Sequence, residues 1–166
     1  MARKFAVLLP ILLVGVVLDQ LTKLAVVRLL PLGAQVPVFQ GFFNLVHIRN
    51  RGVAFGLLAN LGVSYAWLFF VFTTLLVLIV VGWLWWRLPP GLPTANLAYS
   101  LIITGAMGNF IDRVRLGEVI DFLDFYVSRY HWPAFNVADS LVCLGAALLV
   151  YVILTEKEGD DVSHPV

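Results

Sequence analysis

The sequence predicts an all-α membrane protein with four transmembrane helices. Of its 166 residues, 61% are hydrophobic and 13% are charged, and the mean hydropathy is +0.93. A soluble domain carries about 25% charged residues, because its surface must face water. Four apolar segments approach the length of about 20 residues that a helix needs to cross a bilayer. We therefore expect residues 1–166 to form a single polytopic membrane domain.

The first span is predicted at residues 5–30. An apolar run after Arg3-Lys4 imitates a secretory signal, but no small-residue cleavage site follows it, and the run resumes after a short polar stretch. Asp19 and Lys23, at the two ends of that stretch, are four residues apart and therefore share one helical face. We expect them to form an ion pair that holds a neighbouring loop in place, rather than to take part in chemistry.

Residues 33–60 come next and are predicted to leave the membrane. Their first half is rich in β-branched and aromatic residues punctuated by Pro and Gly, which indicates short strands with a turn. The second span, residues 65–86, carries no charge and ends in a belt of tryptophans of the kind found at membrane interfaces. That belt consists of Trp83, Trp85 and Trp86. The turn that follows, residues 87–94, is rich in proline and too short to build a site.

The third span, residues 95–111, ends in the motif Gly108-Asn-Phe-Ile-Asp-Arg113. Asn109 and Asp112 fall about one helical turn apart, so they face the same way near the interface. Arg113 is the neighbour of Asp112, and an adjacent opposite charge keeps a carboxylate ionised. Asp112 is therefore predicted to be a structural anchor and not a proton donor.

The fourth span is predicted at residues 135–154, followed by an acidic, solvated tail at residues 156–166. An even number of spans puts both termini on one side of the membrane. Arg3-Lys4 favours the inner side, although the charge bias of the loops alone does not fix the orientation. The two long connections, residues 31–64 (which contain the segment 33–60) and 112–134, then lie together on the opposite side, where they should build the working face.

Two aspartates differ from these paired acids. Asp121 lies between apolar neighbours, where burial raises the pKa of a carboxyl group, and Asp139 lies about one turn inside the fourth span. If the loop folds back, the two carboxyls meet in a desolvated site where both cannot easily ionise, so that one activates water and the other donates a proton. The alternative is that Asp139 caps the fourth helix and Asp121 is a solvated loop acid. The spacing alone leaves both open.

Other chemistries have less support in the sequence. The histidines show no metal-ligand spacing, and Cys143 is the only cysteine, which excludes a multi-cysteine metal site. There is no Gly-x-Ser-x-Gly elbow and no nucleotide-binding loop, and a net charge of +1 gives no case for nucleic acid. We expect no metal and no cofactor. A non-enzymatic membrane protein with a polar cavity, or a lipid-modifying transferase that uses Asp121 as a lone base, stays an alternative.

Five motifs occur in order along the chain, and together they resemble the bacterial lipoprotein signal peptidase family, also called signal peptidase II. The motifs are Asp19-Gln-Leu-Thr-Lys23, Asn50-Arg-Gly-Val-Ala-Phe55, Gly108-Asn-Phe-Ile-Asp-Arg113, Val119-Ile-Asp-Phe122 and Phe135-Asn-Val-Ala-Asp-Ser140. The resemblance implies an intramembrane aspartic endopeptidase that removes signal peptides from prolipoproteins, cutting before a diacylglyceryl-modified cysteine. Arg51 and Val53 replace the Thr and Ala that are common in the second motif, which leaves the fine specificity open.

The same resemblance implies a small β-cradle and an interfacial loop or helix on the outer face, with both termini cytoplasmic and the site near the outer leaflet of the bacterial inner membrane. It implies Asp121 and Asp139 as the catalytic residues, and membrane lipid and the inhibitor globomycin as ligands; we also expect a monomer. The supporting residues that it implies are Asp19, Lys23, Asn50, Gly52, Asn109, Asp112, Arg113, Asn136 and Ala138. Aromatic residues of the outer loop are expected to clamp the substrate at headgroup depth: Phe122, Phe125, Tyr126, Tyr130 and Trp132.

Overall fold

The computed structural model describes residues 1–52 and 63–161. The helices within them are α1 (Ala2–Leu29), α2 (Val63–Arg87), α3 (Pro93–Leu116) and α4 (Val137–Asp161). The strands are β1 (Gln35–Phe39), β2 (Phe43–Asn50), β3 (Val119–Val127) and β4 (Tyr130–His131). The second half of the predicted loop 33–60, with Val53, and the end of the predicted tail, residues 162–166, lie outside the described residues.

Three helices in the described part of the chain are long and apolar enough to cross a membrane. They are Ala2–Leu29, Trp67–Arg87 and Val137–Thr155, and they correspond to the first, second and fourth predicted spans. The predicted span 95–111 is helical and lies within α3, but α3 is not among these three. Its buried face explains the difference, because it carries Asn96, Ser100, Thr104, Asn109 and Asp112. A fourth membrane crossing therefore stays a prediction.

α3 is the central helix, because it packs against α1, α2 and α4. Small residues bring α3 and α4 close together. A Cβ added at Gly145 would lie 2.7 Å from the carbonyl oxygen of Ala98, and one added at Gly105 would overlap the carbonyl oxygen of Ala138. Helices in lipid associate through such close contacts, since lipid tails are as apolar as the side chains they touch.

The start of α1 is tied to the end of α2 by a buried lysine. Lys4 donates hydrogen bonds from Nζ to the carbonyl oxygens of Trp85 (3.2 Å) and Trp86 (3.0 Å), and a cation at a helix C-terminus is favourable. Trp85 is buried and donates from Nε1 to Asn96 Oδ1 at 2.7 Å. The predicted tryptophan belt is therefore wrong for Trp85, whose indole N–H has a protein partner, whereas Trp83 and Trp86 are exposed.

The described strands form one four-stranded antiparallel sheet in the order β1-β2-β3-β4. β1 and β2 confirm the strands predicted after the first span. The loop predicted at residues 112–134 was wrong for most of that segment, because α3 continues to Leu116 and β3 then pairs with β2. The interfacial loop or helix on the outer face stays a prediction. The run Val119–Val127 is rich in β-branched and aromatic residues, which suit a pleated, half-buried surface.

Gly117 marks the change from helix to strand. Its φ of 74° is left-handed, and its N–H donates to the carbonyl oxygen of Arg113 at 3.0 Å, which caps α3. Glycine adopts this conformation without the steric cost that a Cβ brings. The chain then enters β3, whose residues Ile120 and Phe122 pack in the core with Val26 of α1. The sheet is thereby fixed on the end of the helical bundle.

Candidate active site

Asp121 is a buried residue of β3, with 2% of its surface exposed. One carboxylate oxygen, Oδ2, accepts a hydrogen bond from Asn50 Nδ2 at 3.0 Å, and the other, Oδ1, accepts from Asn136 Nδ2 at 2.8 Å. The alternative that Asp121 is a solvated loop acid is therefore wrong. The apolar neighbours Ile120 and Phe122, which suggested burial from the sequence, are buried as well.

Asp139 lies in the first turn of α4 and is half-buried. Its Oδ2 accepts from the backbone N–H of Asn136 at 3.2 Å, while Asn136 Oδ1 accepts from the backbone N–H of Asp139 at 3.0 Å. This reciprocal pair is a capping box in which Asn136, and not Asp139, occupies the cap position. The second oxygen of Asp139, Oδ1, accepts from Asn109 Nδ2 at 2.7 Å.

Asn136 is fully buried and stands between the two acids. Besides Asp121 Oδ1, its Nδ2 lies 3.2 Å from Asn109 Oδ1 and 3.2 Å from the carbonyl oxygen of Ile120. Asn136 and Asn109 thus form a connected pair of amides, with Asp121 bonded to the first and Asp139 to both. The structure brings together two acids that lie on a strand and on a helix, as the sequence predicted for a folded-back loop.

The electrostatics of the pair follow from burial. The pKa of Asp121 is raised from 3.8 to about 6: desolvation by burial is the largest cause and the negative charge of Asp139 adds to it, while the hydrogen bonds from Asn50 and Asn136 and the charge of Lys23 oppose the rise. A nearby carboxylate disfavours a second negative charge in the same desolvated site. Asp121 therefore retains a proton at pH values where a solvated aspartate is fully ionised.

This raised pKa predicts a pH-dependent cost to stability. The folded protein binds the Asp121 proton more tightly than the unfolded chain does, so the contribution of Asp121 is most favourable below pH 3.8 and is lost as the pH rises to about 6. The loss over that window is about 3 kcal/mol. Asp121→Asn cannot ionise, so the variant should gain stability relative to the wild type between about pH 4 and about pH 7.

Thermal unfolding of both proteins in the same detergent, at a series of pH values, measures this gain. Groups other than Asp121 titrate in both proteins, so only the difference between the two curves is informative. Parallel curves across the whole window would show that burial of Asp121 does not perturb its ionisation.

A buried lysine holds the surrounding charges together. Lys23 has 2% of its surface exposed, and its Nζ lies 2.9 Å from Asp19 Oδ2 and 2.8 Å from Asp112 Oδ2. The predicted pair of Asp19 and Lys23 is confirmed. The predicted partner of Asp112 was wrong: the structure pairs Asp112 with Lys23 of α1 rather than with its sequence neighbour Arg113, because Asp112 points towards α1.

The lysine also orients the amides. Lys23 Nζ donates to Asn109 Oδ1 at 3.1 Å, so the Asn109 oxygen is directed at the lysine and its NH2 group at Asp139. Asp19 Oδ1 accepts from the backbone N–H of Ala138 at 2.9 Å, which places a negative charge at the favourable N-terminus of α4. Asp112 Oδ2 accepts from the N–H of Ile120 at 3.3 Å, next to Asp121. One charge cluster thus anchors the elements that carry both acids.

Gln20 completes this cluster, and the sequence reasoning missed it. Its Nε2 lies 3.1 Å from Asp19 Oδ2, 2.9 Å from Asp112 Oδ1 and 3.3 Å from the carbonyl oxygen of Gly108. The only feature of the sequence that pointed to Gln20 was its position within the motif Asp19-Gln-Leu-Thr-Lys23. Gly108 is also needed for space, because a Cβ there would lie 2.7 Å from Asp19 Oδ2.

Three further predicted residues surround the pair. Gly52 has a φ of 73°, and its N–H donates to Asn50 Oδ1 at 2.8 Å, which leaves the NH2 group of Asn50 to reach Asp121. Ala138 is fully buried beside Asp19. Arg113 is half-buried, and the negative charges of Asp139, Asp121 and Asp112 all act on its guanidinium group. Gly52 therefore acts on Asp121 through Asn50, whereas Ala138 and Arg113 lie next to acids of the site.

Arg51, which departs from the common motif, lies on the exposed rim. Its Nε is 3.2 Å from Glu118 Oε2, and Arg49 Nη1 is 2.8 Å from Glu118 Oε1. Burial raises the pKa of Glu118, but the hydrogen bonds and charges of both arginines outweigh burial and lower that pKa overall. With 62% of its side chain exposed, Arg51 stays accessible to lipid or substrate beside Asn50.

The aromatic clamp was predicted too broadly. Phe122 is buried in the core, and Phe125 is stacked between Phe43 and Phe135, with ring centroids 4.7 Å and 5.8 Å apart. These rings already pack against other protein groups, which is unlike a free clamp. Tyr130 and Trp132 are exposed, so a clamp formed by these two residues stays a prediction.

Among the side chains that the structure describes, no group of three or more His, Cys, Asp or Glu residues is placed to hold a metal ion. The acids of the site are bonded to amides and to Lys23 instead. The chemistry that this arrangement can supply is proton transfer at two adjacent carboxyl groups, one of which has a raised pKa.

Two solved structures, both described as bacterial membrane enzymes and determined by the in meso method, are similar to this chain. The structure at 2.3 Å resolution has a TM-score of 0.78 and 31% identity, and the match covers 95% of this chain and 93% of that chain. The structure at 1.9 Å resolution has a TM-score of 0.76 and 34% identity, with coverage of 88% and 91%. The chain thus has the fold of solved bacterial membrane enzymes.

A family model described as Signal peptidase (SPase) II matches residues 11–155. The chain belongs to the signal peptidase II family, which confirms the resemblance of its motifs. The lipoprotein signal peptidase of Syntrophotalea carbinolica is 47% identical over 147 residues, which are 89% of this chain and 90% of that protein. The lipoprotein signal peptidase of Geobacter sulfurreducens is 47% identical over 143 residues, or 86% and 88% of the two chains.

Proposed function

We propose that this chain is an intramembrane aspartic endopeptidase that removes signal peptides from prolipoproteins, cutting before a diacylglyceryl-modified cysteine. Membership of the signal peptidase II family supports a protease that acts on prolipoproteins. The observation that carries the aspartic mechanism is the position of Asn136, which donates from its side chain to Asp121 and from its backbone to Asp139. Two carboxyl groups from separate elements are thereby held by one buried residue.

Asp121 and Asp139 would act as a pair with a single shared proton, because two carboxylates in one desolvated site cannot both ionise easily. The ionised carboxylate accepts a proton from a water molecule while the oxygen of that water attacks the scissile carbonyl carbon. The protonated carboxyl donates to the carbonyl oxygen and then, as the C–N bond breaks, a proton passes to the leaving amine. The pKa of about 6 for Asp121 supports this scheme.

The remaining predicted residues would hold this pair in its reactive geometry. Preorganised partners spare an enzyme the reorganisation that water would otherwise require during the reaction. Every carboxylate oxygen of the pair already accepts a hydrogen bond from an amide group. The proposed supporting residues are Asp19, Lys23, Asn50, Gly52, Asn109, Asp112, Arg113, Asn136 and Ala138.

We further propose four membrane-spanning helices in the bacterial inner membrane, with both termini cytoplasmic and the acids near the outer leaflet. α3 contains 24 residues, and the other helices are longer, so each exceeds the length of about 20 residues that spans a bilayer. The strands follow α1 and also connect α3 to α4, so the sheet caps one end of the bundle. A signal peptide could then enter between helices while its diacylglyceryl chains remain in lipid.

The decisive assay compares two precursors that differ only in the diacylglyceryl group. The purified protein should cleave the modified precursor immediately before the cysteine and leave the unmodified precursor uncut, because the lipid chains fix the cysteine at the membrane depth of the acids. Product masses identify the bond that is cut, and globomycin should block the reaction. Equal cleavage of both precursors would contradict the lipid requirement, and cleavage of neither would contradict the endopeptidase.

A further inference from the structure

Three polar residues of the sheet take no part in the site described above. Asn44, Asp124 and His131 come from β2, β3 and β4. Asn44 and Asp124 are directly paired across the strands, and both are more than nine-tenths buried. Burying a carboxylate is costly unless it is hydrogen-bonded, so an acid in this position requires partners.

Asp124 has two partners. Asn44 Nδ2 donates to Asp124 Oδ2 at 2.8 Å. His131 Nδ1 lies 2.8 Å from Asp124 Oδ1 and 3.1 Å from Oδ2. An ionised carboxylate can only accept, so Nδ1 carries the hydrogen in this contact. The His131 ring also stacks on Tyr126, with centroids 4.9 Å apart and an angle of 9° between the planes.

This network holds a short hairpin that is otherwise weakly attached. β4 contains two residues, and its backbone register consists of Tyr126 opposite His131 and Val127 opposite Tyr130. A two-stranded ribbon of this length is marginal in the absence of side-chain contacts. The bonds to Asp124 therefore add side-chain contacts to the few backbone bonds that keep His131 on the sheet.

The hairpin leads directly to the residue that joins the two acids. After His131, the N–H of Trp132 donates to the carbonyl oxygen of Phe125 at 2.8 Å. Phe135 and Leu123 then exchange backbone hydrogen bonds of 3.1 Å and 2.8 Å. The next residue is Asn136, so the position of this amide depends on how the chain between His131 and Phe135 lies against β3.

We propose that the hydrogen bonds of Asp124 to Asn44 and His131 position Asn136 against Asp121 and Asp139. Asp124 and His131 are positioning residues, since they act through the chain at 132–135 and not on the substrate. This inference rests on the function proposed above, because its kinetic test measures the proposed cleavage. The inference assigns a role to Asp124, a second buried aspartate of β3. Asp124 lies on the strand face opposite to that of Asp121.

Two substitutions of the same residue test the proposal. His131→Asn keeps an N–H donor at the position of Nδ1, because the amide nitrogen is the same number of bonds from the backbone. His131→Gln moves the donor one bond further, to the position of Nε2, where it cannot reach Asp124. Both replacements are polar and uncharged, so they differ mainly in this one hydrogen bond.

His131→Gln should lower kcat about tenfold, because a displaced Asn136 disturbs both acids. His131→Asn should keep kcat within about twofold of the wild type. Hydrogen exchange at Trp132 and Phe135 should accelerate in the Gln variant alone. Arg129→Gln is the control on the same hairpin, since Arg129 is exposed and its guanidinium group lies over the Tyr130 ring.

Three outcomes overturn the proposal. Equal losses in the Asn and Gln variants would show that the Nδ1 bond does not matter, and wild-type kinetics in both would show that the hairpin does not position Asn136. If the His131→Asn variant can be purified folded but the His131→Gln variant cannot, the hydrogen bond to Asp124 is required for folding rather than for positioning Asn136. If the wild type cleaves no precursor, the proposed function fails, whereas the exchange rates still show whether the bond holds the hairpin.

Discussion

Replacing either acid of the pair with its amide should abolish turnover while leaving the protein folded. Asp121→Asn and Asp139→Asn are each expected to lower kcat by on the order of 10³-fold or more, because groups that act as a unit cannot compensate for one another. In Asp139→Asn the side-chain oxygen that remains can still accept the hydrogen bond from Asn109, and the change removes only the bond that the N–H of Asn136 donates, so the protein should still fold. The new amide can neither take a proton from water nor donate one to the carbonyl oxygen at neutral pH.

The measurement is single-turnover cleavage of the modified precursor, with binding followed separately on the same samples. Precursor binding should be retained, since the lost interaction is made in the transition state. Glu118→Gln is the matched control, because it makes the same acid-to-amide change on a residue that pairs with Arg49 and Arg51 rather than with the site. Activity of Asp139→Asn close to that of the control would leave Asp121 as a lone base, as in the transferase alternative.

The features that the sequence predicted well are local ones. Asp19 and Lys23 are four residues apart on a helix, so the period of the helix is sufficient to place them together, and the salt bridge of 2.9 Å confirms this. Asn109 and Asp112 share a helix face for the same reason, and both contact Lys23. Long apolar runs likewise predicted α1, α2 and α4 with errors of a few residues at their start.

The features that the sequence predicted poorly depend on partners that are distant along the chain. Arg113 is the nearest cation to Asp112 in the sequence, but the structure uses Lys23, because the packing of α1 on α3 brings it closer. β3 was taken for a loop because its charged and aromatic residues resemble a surface segment. Its pairing with β2 is a non-local interaction that periodicity alone does not reveal.

Asn136 shows the same limit within the site. A motif that opens a helix with Asn and has Asp three residues later is compatible with a simple cap, and the capping box is indeed formed. The contacts of Asn136 with Asp121 and Asn109 come from β3 and α3. No spacing rule links these three elements, so the residue that joins the acids became evident only from the fold.

The largest effect on stability is expected from the removal of the buried lysine. Lys23→Met leaves Asp19 and Asp112 facing each other with 1% and 3% of their side chains exposed and no cation between them. Removing one partner from a buried ion pair costs about 3 to 5 kcal/mol, because an uncompensated charge remains in a medium that cannot solvate it. The unfolding free energy should fall by that amount, and cleavage should be lost as Asn109 is released.

Lys4→Met provides the matched control, since Lys4 is the other buried lysine in the described part of the chain and its Nζ bonds to the carbonyl oxygens of Trp85 and Trp86. Its loss leaves no buried charge and should cost about 1 to 3 kcal/mol. Adding Asp19→Asn and Asp112→Asn to Lys23→Met should restore much of the stability, because the buried charges are then gone. It should not restore cleavage, since no cation then orients Asn109 towards Asp139. If Lys23→Met were no more destabilising than Lys4→Met, the cluster would not be the charge centre that holds the two acids in place.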